Sequence, residues 1–218
     1  MRYSQSHKQE TRKTVVRAAA AAVRAKGPDG VSVAEIMAEA GLTHGGFYAH
    51  FPNKAALVAA ALAEAFGQSR RRFARMTEGM TPAEALTAFI DSYVSVEHRD
   101  NPQRGCPIAT LTNDLPRQGP AVRGAFDAGV ANLIARIEAW LPLGEGQCEG
   151  EGEGEGEGEG EGERAAAARR GLASSMMAEM AGVVALARAV SDAAMADALL
   201  EASRARLKTR AGLTGGAA

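Results

Sequence analysis

The chain has 218 residues, 46% of them apolar, so it is long and apolar enough to bury a globular core. No apolar run approaches the roughly 20 residues of a membrane span, and residues 1–13 are too polar for a signal peptide, which together predict a cytoplasmic protein. Two cysteines, Cys106 and Cys148, exclude a disulfide framework, and neither sits in a C-x-x-C pair. The formal net charge of −1 hides an uneven distribution. Eight glutamates fall in the Glu-Gly repeat from Glu149 to Glu163; without them, 25 basic residues face 18 acidic ones. Residues 1–57 carry eight Lys and Arg against four acids, a balance that suits an anionic partner or a solvated helix face.

In chain order, the pattern is helices separated by Gly and Pro, with no alternation that predicts a strand. Ser6 to Gln9 reads as a capping box opening a helix to about Lys26, with Val15, Ala19, Ala22 and Val23 on its buried face. Gly27-Pro28-Asp29-Gly30 ends it. Ser32-Val33-Ala34-Glu35 is a second capping box, opening a short helix that ends near Ala40. Gly41 supplies a left-handed turn residue, and Thr43 caps a third short helix that stops before Pro52. Ala34, Ile36, Met37, Ala40, Leu42 and Phe47 are the expected core of this pair. Asn53 caps a fourth helix that runs to the cluster Arg70-Arg71-Arg72.

Thr81-Pro82-Ala83-Glu84 starts a helix bearing Leu86, Phe89, Ile90, Tyr93 and Val96. A looser stretch from Asp100 to Gly119 holds a short helix over 107–115. Pro120 opens a helix through Val122, Phe126, Val130, Leu133, Ile137 and Trp140, which Pro142 stops. Alternating Glu and Gly over 144–163 has no apolar face and predicts a disordered loop. Two long Ala-rich helices follow, over 164–188 and 192–208, and the tail from 211 to 218 should fray.

A helix, a tight glycine turn and a second helix over 32–51 form a helix-turn-helix, whose second helix enters the major groove. The run from Ala40 to Leu57, AGLTHGGFYAHFPNKAAL, resembles the DNA-binding signature of the TetR/AcrR repressor family. It carries the small-Gly turn, the aromatic-Tyr-x-His-Phe stretch and the Lys opening the fourth helix. The resemblance covers residues 8–57 closely and the rest only in helix count and in the two long C-terminal helices.

What it implies is an all-α protein of about nine helices. Residues 1–57 would form a three-helix DNA-binding domain, and residues 58–210 a helical domain for effector binding and dimerisation. The implied partners are double-stranded operator DNA, a second copy through the last two helices, and a small-molecule effector. No cofactor, metal, membrane or enzymatic activity is implied, and no catalytic motif is present.

The residues expected at DNA are Thr43, His44, Gly45, Gly46, Tyr48, His50 and Lys54. Thr43, Tyr48 and Lys54 suit phosphate contacts and His44 suits base readout. His50 either packs within the domain or touches phosphate. Gly45 and Gly46 either let the backbone approach the groove or mark a frayed helix start. The expected effector pocket comprises Phe89, Tyr93, Cys106, Trp140, Met176, Met177 and Met180. The methionines suit a core as well as a pocket. Arg104-Gly105-Cys106-Pro107 resembles a Gly-Cys-Pro stretch in one branch of the family, some of whose members sense electrophiles. Cys106 is therefore either a reactive thiol at a helix start or a small buried hydrophobe.

Overall fold

The structure is a computed structural model and describes residues 5–142 and 158–213. All regular structure among them is helical. The helices are α1 (Gln5–Lys26), α2 (Val33–Glu39), α3 (Lys54–Met76), α4 (Pro82–Tyr93), α5 (Val96–Asp100), α6 (Pro107–Leu111), α7 (Pro120–Trp140), α8 (Gly158–Ala189) and α9 (Ala193–Arg210). Tight 3-10 segments lie at His44–Ala49, Pro102–Arg104 and Leu115–Arg117.

The chain divides into two compact units. One joins residues 1–74 to 97–130, and the other joins 75–96 to 131–218. This division differs from the cut expected at residue 57, which falls inside α3.

The first unit is built on the apolar face of α1. Val15, Val16, Ala19, Ala20 and Val23 meet Ile36 and Met37 of α2, Phe47, Phe51, and the Leu57, Val58, Ala61, Leu62 and Ala65 face of α3. Leu111, Leu115 and Val122 come from much later in the chain and complete the same core. Close helix approach is needed beside them: a Cβ at Gly129 would lie 2.2 Å from the Phe66 ring. Arg24 is a buried cation of this unit, 5% exposed. Its guanidinium donates to the carbonyls of Ala20 (3.0 Å) and Gly105 (3.1 Å) and to Gln68 Oε1 (2.7 Å). Burial lowers its pKa to about 10, which leaves it charged at neutral pH.

In the second unit α8 and α9 pack together and α4 packs on α9. Met176, Met180, Val184, Leu200 and Leu207 are buried here. Polar ties flank them: Lys208 Nζ lies 2.7 Å from Asp91 Oδ1, and Ser203 Oγ donates to Glu179 at 2.8 Å. Arg169 of α8 donates to the carbonyls of Glu138 (2.8 Å) and Leu141 (2.6 Å), where the last turn of α7 lacks helical partners.

Several local expectations change. The helix α1 already includes Gln5, so Ser6 is not its cap. Ala34 is exposed rather than core. The helix α4 ends at Tyr93, and Val96 stands 46% exposed at the start of α5. The helix α8 begins at Gly158, inside the Glu-Gly repeat, because the Ala-rich stretch behind it propagates the helix backwards. The remainder of the expected disordered loop, with Cys148, and residues 214–218 of the tail lie outside the described residues. Within α8, an 18-residue window of Gly162–Ala189 reaches a mean hydropathy of 1.2, enough by length and composition for a membrane span. It is not an unbroken apolar run, since Ser174, Ser175, Glu179 and Arg188 interrupt it.

Candidate nucleic-acid interface

The capping box at Ser32 forms as the sequence predicts. Ser32 Oγ accepts from the Glu35 N–H at 3.1 Å, and Glu35 Oε2 accepts from the Ser32 N–H at 3.0 Å. These bonds to Ser32 hold the Glu35 carboxyl below the usual carboxylate range. The helix α2 then closes through Gly41, whose φ of 72° is the left-handed conformation its position requires. The N–H groups of Gly41 and Leu42 return to the carbonyls of Ala38 and Met37, each at 2.9 Å.

The next element departs from expectation. His44–Ala49 winds as a six-residue 3-10 segment, and the Thr43 side chain makes no capping bond to it. Two adjacent glycines weaken helix propagation and Pro52 ends the segment early, so the tighter, shorter winding results. Thr43 therefore does not sit at the end of a regular helix dipole. Its hydroxyl is exposed beside the segment rather than committed to its backbone.

The segment sorts its residues by face. Phe47 is 2% exposed and stacks on Phe51 at 5.8 Å between ring centroids, which anchors the segment to the first unit's core. Tyr48 is 71% exposed and rests edge-on against Phe47 at 5.2 Å. Thr43, His44 and Gly45 are also exposed, while Gly46 and His50 are half-buried. A Cβ at Gly45 would meet nothing within 4 Å, and one at Gly46 would make only ordinary contact with Met37 at 3.7 Å. Lys54 opens α3 half-buried, and Asn53 Oδ1 caps that helix by accepting from the Ala56 N–H at 2.8 Å. The structure thus gathers all seven expected DNA residues along one continuous stretch.

Sequence reasoning left two neighbours out of this set. Arg12 of α1 lies over the Phe51 ring, 4.8 Å from its centroid. Burial, then Lys8 and Arg12, hold the His50 imidazole below its usual pKa. The signal available was the i, i+4 spacing of Lys8 and Arg12 on the polar face of α1.

The expected effector residues are divided. Phe89 meets Tyr93 at 5.6 Å and Trp140 at 5.5 Å between ring centroids, all within the second unit. Met176, Met177 and Met180 are buried in that unit too. Two open grooves of this unit, about 420 and about 530 Å³, are lined by other residues, including Arg169 in one and Asp91 in the other. Cys106 belongs to the first unit and is fully buried, its N–H donating to His98 Nε2 at 2.9 Å. The partly exposed thiol that rapid sensing needs is not what this site provides. Among the described residues, no three His, Cys, Asp or Glu side chains are grouped to hold a metal ion.

Residues 15–61, spanning this helix-turn-helix, match the profile of the bacterial regulatory proteins of the tetR family. The crystal structure of a TetR transcriptional regulator from Chloroflexus aurantiacus is 29% identical. It superposes with a TM-score of 0.69 over 92% of this chain and 93% of that one. Residues 15–61 are thus a TetR-type helix-turn-helix. Other TetR-type folds superpose at lower identity. A TetR-family transcriptional regulator from Agrobacterium tumefaciens is 22% identical, with a TM-score of 0.67 over 91% of this chain and 97% of its own. The reduced form of NemR from E. coli is 17% identical, with a TM-score of 0.67 over 92% and 96%. No curated protein matches the chain. The chain thus has the fold of TetR-type transcription regulators, with the DNA-binding helix-turn-helix of that family in the segment described above.

Proposed function

We propose that the protein is a homodimeric cytoplasmic repressor that binds operator DNA and leaves it when a small molecule binds. The observation that carries this reading is the exposed face Thr43, His44, Gly45 and Tyr48, held by the buried Phe47. No side chain stands at Gly45, where the fold leaves open space, so the backbone there can come close to a groove. Tyr48, Thr43 and Lys54 supply donors for phosphate, and His44 reaches base edges. Leu186 and Met195, 51% and 57% exposed on α8 and α9, supply apolar surface for a self-complementary dimer contact. The aromatic and methionine cluster of the second unit supplies apolar lining for a ligand that biases one state of the dimer.

The test combines light scattering with gel shifts on the DNA upstream of its own gene. Leu186→Glu with Met195→Glu should give a monomer that loses the shifted band. A monomeric unmodified protein would overturn the dimer, and an unchanged transcript level on deleting the gene would overturn repression. A covalent trigger at Cys106 is a second reading, favoured by the Arg24 guanidinium within electrostatic reach of the thiol. Because the thiol is buried, its modification must wait for the turn to open. Repeating the gel shift after N-ethylmaleimide, on unmodified protein and Cys106→Ser, separates the two: a covalent trigger releases only the unmodified protein.

A further inference from the structure

We propose that Lys8 and Arg12 of α1, together with His50, form a seat for a DNA backbone phosphate. This rests on the DNA-binding reading and adds to the recognition segment a contact that the sequence motif does not contain. Lys8 and Arg12 are four residues apart, so they share one face of α1, and both are exposed. Arg12 is not a loose surface side chain. It stacks on Phe51, which is 2% exposed and fixed by the core, and this presets the guanidinium fork for an oxyanion.

Charge balance points to an anion at this place. Lys13, on the same helix, is neutralised by Glu10 at 2.6 Å. Among the described residues, neither Lys8 nor Arg12 has a carboxylate within 4.0 Å. After burial, their positive charge helps hold down the pKa of His50, which closes the recognition segment and whose Nδ1 is buried without a hydrogen-bond partner. Arg12 lies against Phe51, the residue next to His50, and Lys8 is one turn away on α1; with no carboxylate within 4.0 Å of either cation, an external anion relieves the arrangement. A phosphate accepts from a guanidinium fork bidentately and from an ammonium as a point charge, so both cations are suited to it. The ring chain Phe51–Phe47–Tyr48 ties Arg12 to the exposed face of the recognition segment, so a backbone phosphate of the bound duplex is the anion that can reach it.

The experiment measures duplex affinity against salt by fluorescence anisotropy. One duplex carries the DNA upstream of the gene that encodes the protein, and the other is a scrambled duplex of equal length. Lys8→Gln with Arg12→Gln should weaken both duplexes by the same factor. The slope of log Kd against log salt should fall by about 0.9 for each seat engaged, hence about 2 for a dimer. Arg12→Lys, which keeps the charge, should retain most of the slope, and Lys13→Gln should leave it nearly unchanged. An unaltered slope in the double variant while the unmodified protein binds overturns the seat and leaves the DNA-binding reading standing. An equal loss from Lys13→Gln overturns it too, since any cation would then serve. If the unmodified protein binds neither duplex, both readings fail together.

Discussion

Gly45 is a residue whose identity the fold does not explain. Its φ is not positive, and a Cβ there would meet open space. Glycine in a helical segment costs about 0.5–1 kcal/mol against alanine, so a purely structural site would favour alanine. Gly45→Ala is therefore expected to raise stability by a few tenths to about 1 kcal/mol in urea unfolding and to weaken DNA binding in the same preparation. A variant that is more stable and binds equally well would show that the groove does not come close at this point. The residues of the motif were legible in sequence because each has a local job: Phe47 buries, Tyr48 does not, and Gly41 turns. Arg12 and Lys8 were not, because their role depends on α1 lying beside the end of a segment nearly 40 positions on. Cys106 stayed open between two readings for the opposite reason. Its local signal, a thiol before a proline-led helix, says nothing about the burial that the rest of the unit imposes.

Arg24 matters through the elements it joins. It is at the end of α1, yet it donates to α3 through Gln68 and to the turn before α6 through the Gly105 carbonyl. Replacement by Met would keep much of the volume and leave the buried Gly105 carbonyl and the half-buried Gln68 amide without their donor. The expected cost is about 2 kcal/mol, read as a lower urea midpoint, and Arg24→Lys should recover only part of it because one ammonium cannot span three directions. A loss within about 0.5 kcal/mol would show that water replaces the guanidinium freely. Most element boundaries were legible because caps are local chemistry: Ser32, Asn53, Thr81 and Asp192 all accept the bonds their positions promise. The 3-10 winding after Thr43 was not, since the cap residue was present while the glycines removed the helix it would have capped. The start of α8 inside the Glu-Gly repeat was missed likewise, because composition alone gives glycine no helical neighbour to follow.

At the scale of the molecule, the helix-turn-helix is not a self-contained head. Leu111, Leu115 and Val122 fill its core, and Leu111 is fully buried. Leu111→Ala should cost about 2–5 kcal/mol, although the residue lies 54 positions beyond Leu57, the end of the motif. DNA affinity measured near the unfolding midpoint should fall with it. If the variant loses under about 1 kcal/mol, the head closes its core without α6. The all-helical class was legible from periodicity and punctuation, whereas this sharing of the core was not. Hydrophobic pattern reports which face of a helix is buried, and it carries no address for the partner that buries it.

That shared core sets an order of events during synthesis. Residues 1–74 leave the ribosome first, with Val15, Phe47 and Leu62 already translated but their later apolar partners not yet made. Until Val122 has emerged, the nascent head keeps an open hydrophobic side. The segment that will read DNA is thus completed late in translation despite being encoded early, and a chain that terminates before Val122 leaves no finished head to compete for the operator.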